Sequence, residues 1–344
     1  VKAREYTFDA SYQPQVRTKT GTSNIMLDVL LALVPAMVVG VLQFGFKTLA
    51  LLAVSVASAV FFEWGYRKLM KKPDTIGDLS ACVTGVLLVL TMPSNAPLWM
   101  PIIGAFFGIV VVKQLYGGIG KNFVNPALAG RAFLFFSWTM TMTSWAVPKS
   151  LGANAVVDGV TMATPLSLMK AGEVVSSSYS YMDMFLGKMP GSIGEISVLA
   201  LIIGGAYLIV KKVINWRIPV AYIGTVAVLT LVFGKEGYTN FDWMMCNLLT
   251  GGLFLGAIFM ATDYSSSPVT LNGQLLYGFG CGALTVLIRC FGGFPEGVTF
   301  AILIMNLCAW AIDKGTRARQ FGVSKEDVKA AKKAAKAAKK EAKA

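Results

Sequence analysis

The sequence predicts an all-α polytopic membrane protein: ten transmembrane helices in two inverted five-helix repeats, with a long external loop between them. Three observations lead there. The 344 residues are 55% hydrophobic and only 14% charged, with a mean hydropathy of +0.62, whereas soluble domains carry about 25% charged residues. Apolar runs near the length that crosses about 30 Å of hydrocarbon as a helix recur ten times. One polar connection, far longer than the others, divides them five and five.

Residues 1–23 are polar and charged, and read as a cytoplasmic N-terminal segment without the apolar core of a signal peptide. The first repeat, 24–145, holds spans near 24–44, 48–66, 79–92, 98–116 and 126–145. The third of these is short, set between Gly77-Asp78 and Pro93, and reads as a broken or partial crossing. The external loop covers 146–192; a connection above about 12–15 residues is uncommon unless it is functional or disordered. The second repeat, 193–313, holds spans near 193–210, 216–234, 243–262, 271–289 and 295–313, and a Lys/Ala-rich cytoplasmic tail occupies 314–344.

Ten spans place both termini on one side, and basic residues mark the cytoplasmic side. With the termini inside, 25 Lys/Arg fall on the inner side and 6 on the outer, and without the tail's last eight lysines the ratio is still 17 to 6. The long loop is therefore outside. The duplication rests on two echoes. Thr84-Gly85 in span three matches Thr250-Gly251 in span eight, and LYGGIGKNFVNPA (115–127) leads into span five as CFGGFPEGVTFA (290–301) leads into span ten. An odd number of spans per unit makes the two units inverted, a plan that places functional sites at the repeat interface and at broken helices.

Composition also excludes functions. The net charge of +13 comes largely from the tail, so no nucleic acid is expected as a partner. Ser324 and Asp327 form a helix-capping pair, and lysines 325, 329, 332, 336, 339 and 343 follow near one face, a pattern that attracts anionic lipid by about 1 kcal/mol per lysine. The chain has no histidine, and none of its five cysteines forms a CxxC pair, so neither a metal site nor iron–sulfur ligation is expected. A dinucleotide fingerprint is also missing. Asp28, Glu63, Lys113, Arg131, Glu195, Asp263 and Arg289 lie in or near spans, mostly within reach of a span end, where a long side chain can extend to water. Arg131 and Asp263 stand out through their polar or Pro-containing surroundings.

The outer loop contains Asp158-Gly-Val-Thr-Met-Ala-Thr-Pro-Leu166. On its own residues it is an exposed, ordered turn. Its Asp-x-x-Thr-x-Ala-Thr pattern resembles the flavinylation motif at which a flavin transferase attaches FMN through a phosphoester to the last threonine, here Thr164. Asp158, Gly159, Thr161 and Ala163 complete the pattern, and Met162 stands where the motif often has Gly. LTMPSNAPLW (90–99), GGIGKNFVNPALAGRAFLFF (117–136) and FMATDYSSSPVT (259–270) resemble the family formed by the D subunit of the Rnf ion-translocating oxidoreductase and the B subunit of the sodium-translocating NADH:quinone reductase. The likeness runs in order over about residues 24–315.

The resemblance implies a subunit of the bacterial inner membrane, not catalytic alone. It would relay electrons between ferredoxin and NAD through covalent FMN, with Na⁺ or H⁺ translocation, and allows a second, noncovalent riboflavin within the bundle. The implied partners are the other Rnf subunits: a second FMN carrier and the iron–sulfur and NAD-binding subunits. A transferase would act in maturation. Asn125, an N-cap before Pro126, and Arg131 are expected to face the bundle interior and to help build a flavin or subunit contact. The central stretches are almost purely apolar, so the whole ion path is not expected to run through this chain. The reading from another class is a solute transporter or channel with inverted repeats, for which a flavinylation motif has no use.

Overall fold

The computed structural model describes residues 21–151, 161–173, 175, 179–235 and 237–317. Asp158, Gly159, most of the N-terminal segment, the Ser324/Asp327 pair and the tail lysines lie outside the described residues. Helices α1 (Thr22–Phe44) and α2 (Phe46–Leu69) are joined through Gly45, whose φ of 85° suits glycine. The Asp78 carboxylate accepts from the Ser80 amide and hydroxyl at 3.2 and 2.7 Å and so starts α3 (Ser80–Leu90). Helix α4 (Trp99–Phe106) runs on in wider π turns to Gln114. Asn125 caps α5 (Pro126–Ser137), and the short α6 (Thr139–Met142) follows.

Between the two halves, strands β1 (Trp145–Ala146) and β2 (Thr161–Met162) pair antiparallel, Trp145 opposite Met162. They are the only strands among the described residues. Helices α7 (Pro165–Ala171) and α8 (Tyr181–Leu186) complete the long connection. The second half holds α9 (Val198–Val210), α10 (Arg217–Val232), α11 (Asn240–Leu249), α12 (Leu253–Leu255), α13 (Leu271–Phe291) and α14 (Val298–Thr316). Helix α12 continues in π turns to Met260, and the α11–α12 pair is bent by 59° at its break.

A helix therefore stands at each of the ten positions read from the sequence. Four, α1, α2, α13 and α14, are long and apolar enough to cross a membrane, and the bent pair makes a fifth. The others are shorter: eleven residues of α3 rise only about 16 Å at ~1.5 Å per residue. The sixth span starts later than expected, because residues 193–197 form a turn and do not extend α9. The amides of Ile193 and Gly194 in that turn donate to the carbonyls of Met92 and Leu90 at 3.1 and 2.8 Å, which supplies partners at the end of α3.

The long connection is not a bare loop. Leu166, Met169, Val175, Tyr179, Met184 and Met189 form an apolar cluster with Trp243, Cys246 and Leu249 of α11. The loop is thus docked on the helix that breaks. The two halves also meet where α1 packs on α9: a Cβ on Gly204 would lie 2.1 Å from the Ala32 carbonyl oxygen. Gly204→Ala is expected to destabilise the protein by about 1–3 kcal/mol through overpacking. Gly224→Ala, which meets nothing within 4 Å, is expected to be neutral or slightly stabilising. Thermal unfolding of both variants in detergent checks this pair.

Candidate functional site

Thr164 is the N-cap of α7, with extended φ and ψ of −67° and 154° and Pro165 in the first turn, where a missing N–H matters least. Its Oγ1 accepts from the Ser167 amide at 3.3 Å and lies 2.8 Å from Ser167 Oγ. The residue is 5% exposed, next to Ala163 and Met162 at the surface. Thr161 lies on β2, opposite Ala146. The hydroxyl of Thr164 is therefore held in one place by the helix it caps.

Thr164 faces the break between α11 and α12. A small cavity there is lined by Thr164, Gly191, Glu195, Thr250, Gly251 and Glu296. Gly251 and Gly252 adopt φ of 75° and 66°, which lets the chain leave α11 and re-enter a helix at once. The carbonyls released by the break are taken up by Arg289 of α13, which donates to Asn247 O at 2.6 Å, Gly251 O at 3.1 Å and Thr250 O at 3.3 Å. From the first half, Arg131 of α5 forms an ion pair with Glu296 and donates to Thr299 Oγ1 at 2.8 Å. Arg131 thus faces the interior and ties the two halves together.

Beside α7 lies a larger cavity of about 370 Å³, lined by Lys170, Lys235, Arg289 and the rings of Phe233, Trp243 and Phe291. Lys235 donates to Met169 O at 2.6 Å and sits 5.7 Å from the centre of the Trp243 ring. Burial, then repulsion from Lys235, lowers the Lys170 ammonium below its ordinary value. The site is cationic and aromatic, a combination suited to an anionic ring system.

At the opposite end of α5, Asn125 Oδ1 accepts from the amides of Ala127 and Leu128 at 3.0 and 3.4 Å. Its Nδ2 donates to Met260 O at 3.2 Å, at the end of the bent pair. Asn122 reaches Asp263 at 3.4 Å, and Asp263 accepts from the hydroxyls of Ser265 and Ser266 at 2.9 Å each. Asn122, Asn125, Asp263 and Ser265 border a third cavity, of about 100 Å³, with Val29, Leu87, Leu208 and Phe259 as apolar walls.

The expectation that most ionisable side chains reach water needs correction. Glu63 and Lys113 form a 2.7 Å ion pair at 1% and 3% side-chain exposure. Lys113 also donates to Ser80 Oγ at 2.6 Å, and Thr75 donates to Glu63 at 2.9 Å. Arg131, Glu195 and Arg289 are buried too. Asp28 is half-buried and accepts from Tyr207 at 2.7 Å. For Glu63, Lys113, Arg131 and Arg289 burial is tolerated because each charge finds protein partners, which the linear pattern does not display. Glu296, Lys235 and Trp243 do not stand out in the sequence. A signal for Glu296 exists: it is the one acid at the start of span ten before the helix itself begins at Val298, a counterion for a lone Arg in span five.

A family model described as the NQR2, RnfD, RnfE family matches residues 9–322. The chain belongs to that family. Among its members, the chain is 48% identical to the D subunit of the Na⁺-translocating ferredoxin:NAD⁺ oxidoreductase complex of Acetobacterium woodii, over 93% of this chain and 97% of that protein. It is 43% identical to the D subunit of the proton-translocating ferredoxin:NAD⁺ oxidoreductase complex of Clostridium ljungdahlii, over 92% and 96%. To the D subunit of the ion-translocating oxidoreductase complex of Stutzerimonas stutzeri the identity is 36%, over 88% and 93%. In this member of the NQR2, RnfD, RnfE family, the Arg131–Glu296 pair is the link between halves that is open to a direct test. Arg131→Ala is expected to cost about 1–3 kcal/mol by leaving a half-buried carboxylate unpaired, and adding Glu296→Gln is expected to restore part of that loss. Thermal unfolding of the single and double variants measures it.

Proposed function

We propose that this chain is the D subunit of an ion-translocating ferredoxin:NAD⁺ oxidoreductase of the Rnf type, and that it carries FMN on Thr164. The family membership and the 48% identity to such a D subunit support the assembly. The observation that carries the flavin reading is the placement of the motif's last threonine. Its hydroxyl caps α7, and the cavity lined by three cations and three aromatic rings flanks the same helix through Leu166, Met169 and Lys170. Attachment joins Thr164 Oγ1 to the FMN phosphorus, releases AMP from FAD and removes the hydroxyl proton. A transferase with its magnesium organises the phosphates, so this chain needs no base of its own.

When bound, the flavin supplies one- and two-electron carriage. The residues of this chain hold and tune it. Lys170, Lys235 and Arg289 favour negative charge on a reduced ring, and tethering makes each encounter with the site intramolecular. A noncovalent riboflavin would find apolar walls and a polar rim of Asn122, Asn125 and Asp263 in the cavity beside the start of α5, which would have to widen to take the ring.

The same reading orients the chain in the bacterial inner membrane, with both termini in the cytoplasm and Thr164 outside, by the asymmetry of basic residues. The two five-helix units would be inverted repeats. The meeting of α1 with α9 and of α5 with α14, the first and the fifth helix of each unit, supports that pairing. Ferredoxin and NAD chemistry would reside on partner subunits, including iron–sulfur and NAD-binding ones and a second FMN carrier.

Thr164→Ala in the assembled complex is expected to abolish the fluorescent band of this subunit in a denaturing gel under ultraviolet light, with Thr161→Ala retaining it. Peptide mass mapping should place the FMN adduct on Thr164. An adduct on Thr161, or one that persists in Thr164→Ala, overturns the assignment.

A further inference from the structure

The side chain of Glu195 has a geometry that flavin attachment does not use. It lies in the turn before α9 and is 5% exposed. Oε1 accepts from the Ser192 amide at 3.1 Å. Oε2 is buried without a hydrogen-bond partner among the described residues, and so is the hydroxyl of fully buried Ser192. Oε2 is turned to the helix break, since a Cβ on Gly252 would lie 2.3 Å from it. The cavity between this carboxylate and Thr164 has a volume of about 10 Å³, the space of one water-sized particle.

Among the described residues no cation bonds this carboxylate directly, although the guanidiniums of Arg131 and Arg289 both act on it across the cavity. Glu296, the other acid on the cavity, is paired with Arg131. Arg289 spends its terminal nitrogens on the carbonyls of Asn247, Thr250 and Gly251. No ion pair reaches Glu195 among the described residues. A buried carboxylate in that position either gains a positive charge or stays costly. Backbone oxygens at a helix break, a hydroxyl and a carboxylate form a hard-oxygen environment of the kind that takes small monovalent cations.

We propose that Glu195 holds one monovalent positive charge, a sodium ion or a proton, in the cavity between the α11–α12 break and Thr164. The site itself needs no flavin. Its coupling to electron transfer rests on the reading that FMN is carried by Thr164: a cation there lowers the cost of negative charge on a nearby flavin, and a reduced flavin tightens the cation by the same factor.

The test uses the purified complex. Infrared difference spectra are recorded against pH and against added NaCl, with choline chloride as the ionic-strength control, for the wild type, Glu195→Gln and Glu195→Asp. The wild type is expected to show a buried carboxyl signal that Glu195→Gln removes. A signal that responds to pH alone identifies the proton, and one that responds to NaCl but not choline identifies sodium. Glu195→Asp, which withdraws the charge from the break, is expected to weaken occupancy at least tenfold; it also serves if Glu195→Gln fails to assemble. Wild type and Glu195 variants with the same spectra across both titrations overturn the site. Redox titration of the covalent flavin reads the coupling: its midpoint should move with the same cation in the wild type and stop moving in Glu195→Gln. A midpoint that ignores the cation overturns the coupling. A wild type with the carboxyl signal but no covalent flavin overturns the Thr164 reading and leaves the site standing.

Discussion

A helix that ends inside a bundle leaves as many as four carbonyls without intrahelical partners, and hydrocarbon offers no water to satisfy them. This chain ends two helices in that way, α3 at Leu90 and α11 at Leu249, and much of the remaining structure follows from how the ends are satisfied. Amides of residues 193 and 194 serve the first end. That draws the chain across from the long connection and fixes where α9 begins. A guanidinium from α13 serves the second. The same turn at 192–195 that closes α3 brings Glu195 to the break in α11, so the two interruptions share one neighbourhood with Thr164.

The sequence disclosed those parts of this arrangement that local chemistry decides. Asn125-Pro126 announced a capped helix start because the cap depends on neighbours two and three residues away. Thr164 was legible as the last position of a short motif, and its role as the cap of α7 follows from the Pro beside it. Apolar runs located the helices but not their ends: α5 stops at Ser137 and α9 starts at Val198, because loop residues took over positions that hydropathy alone assigns to the spans. The long connection read as a loop, since its apolar residues are scattered and gain a core only against Trp243 and Cys246 of α11. Charge depth was least legible. Glu63 and Lys113 are fifty residues apart, and Arg131 and Glu296 are 165 apart; only folding brings such pairs together.

Helix α5 ties the first half to the second at two points. Asn125, in its cap, binds the end of the bent pair at Met260, while Arg131, further along, binds the turn before α14. Both partners belong to the second half, so α5 is held there by a hydrogen bond near one cavity and by a charge near the other. Partnered polar contacts of this kind accept few alternative geometries, which fixes the separation of the two cavities.

The contact between α1 and α9 has a mechanical consequence. Gly204 lets the backbone of one half rest on the carbonyl of Ala32 in the other, and Gly40 does the same against Ile193. Sliding either helix along its neighbour would press Cβ atoms against backbone, since the close approach is possible only where Gly204 and Gly40 present no side chain. The seam behaves as a keyed joint and not as a bearing. Carriers that expose a site alternately to the two faces of a membrane need halves that rock against each other; a seam keyed at Gly40 and Gly204 resists that sliding.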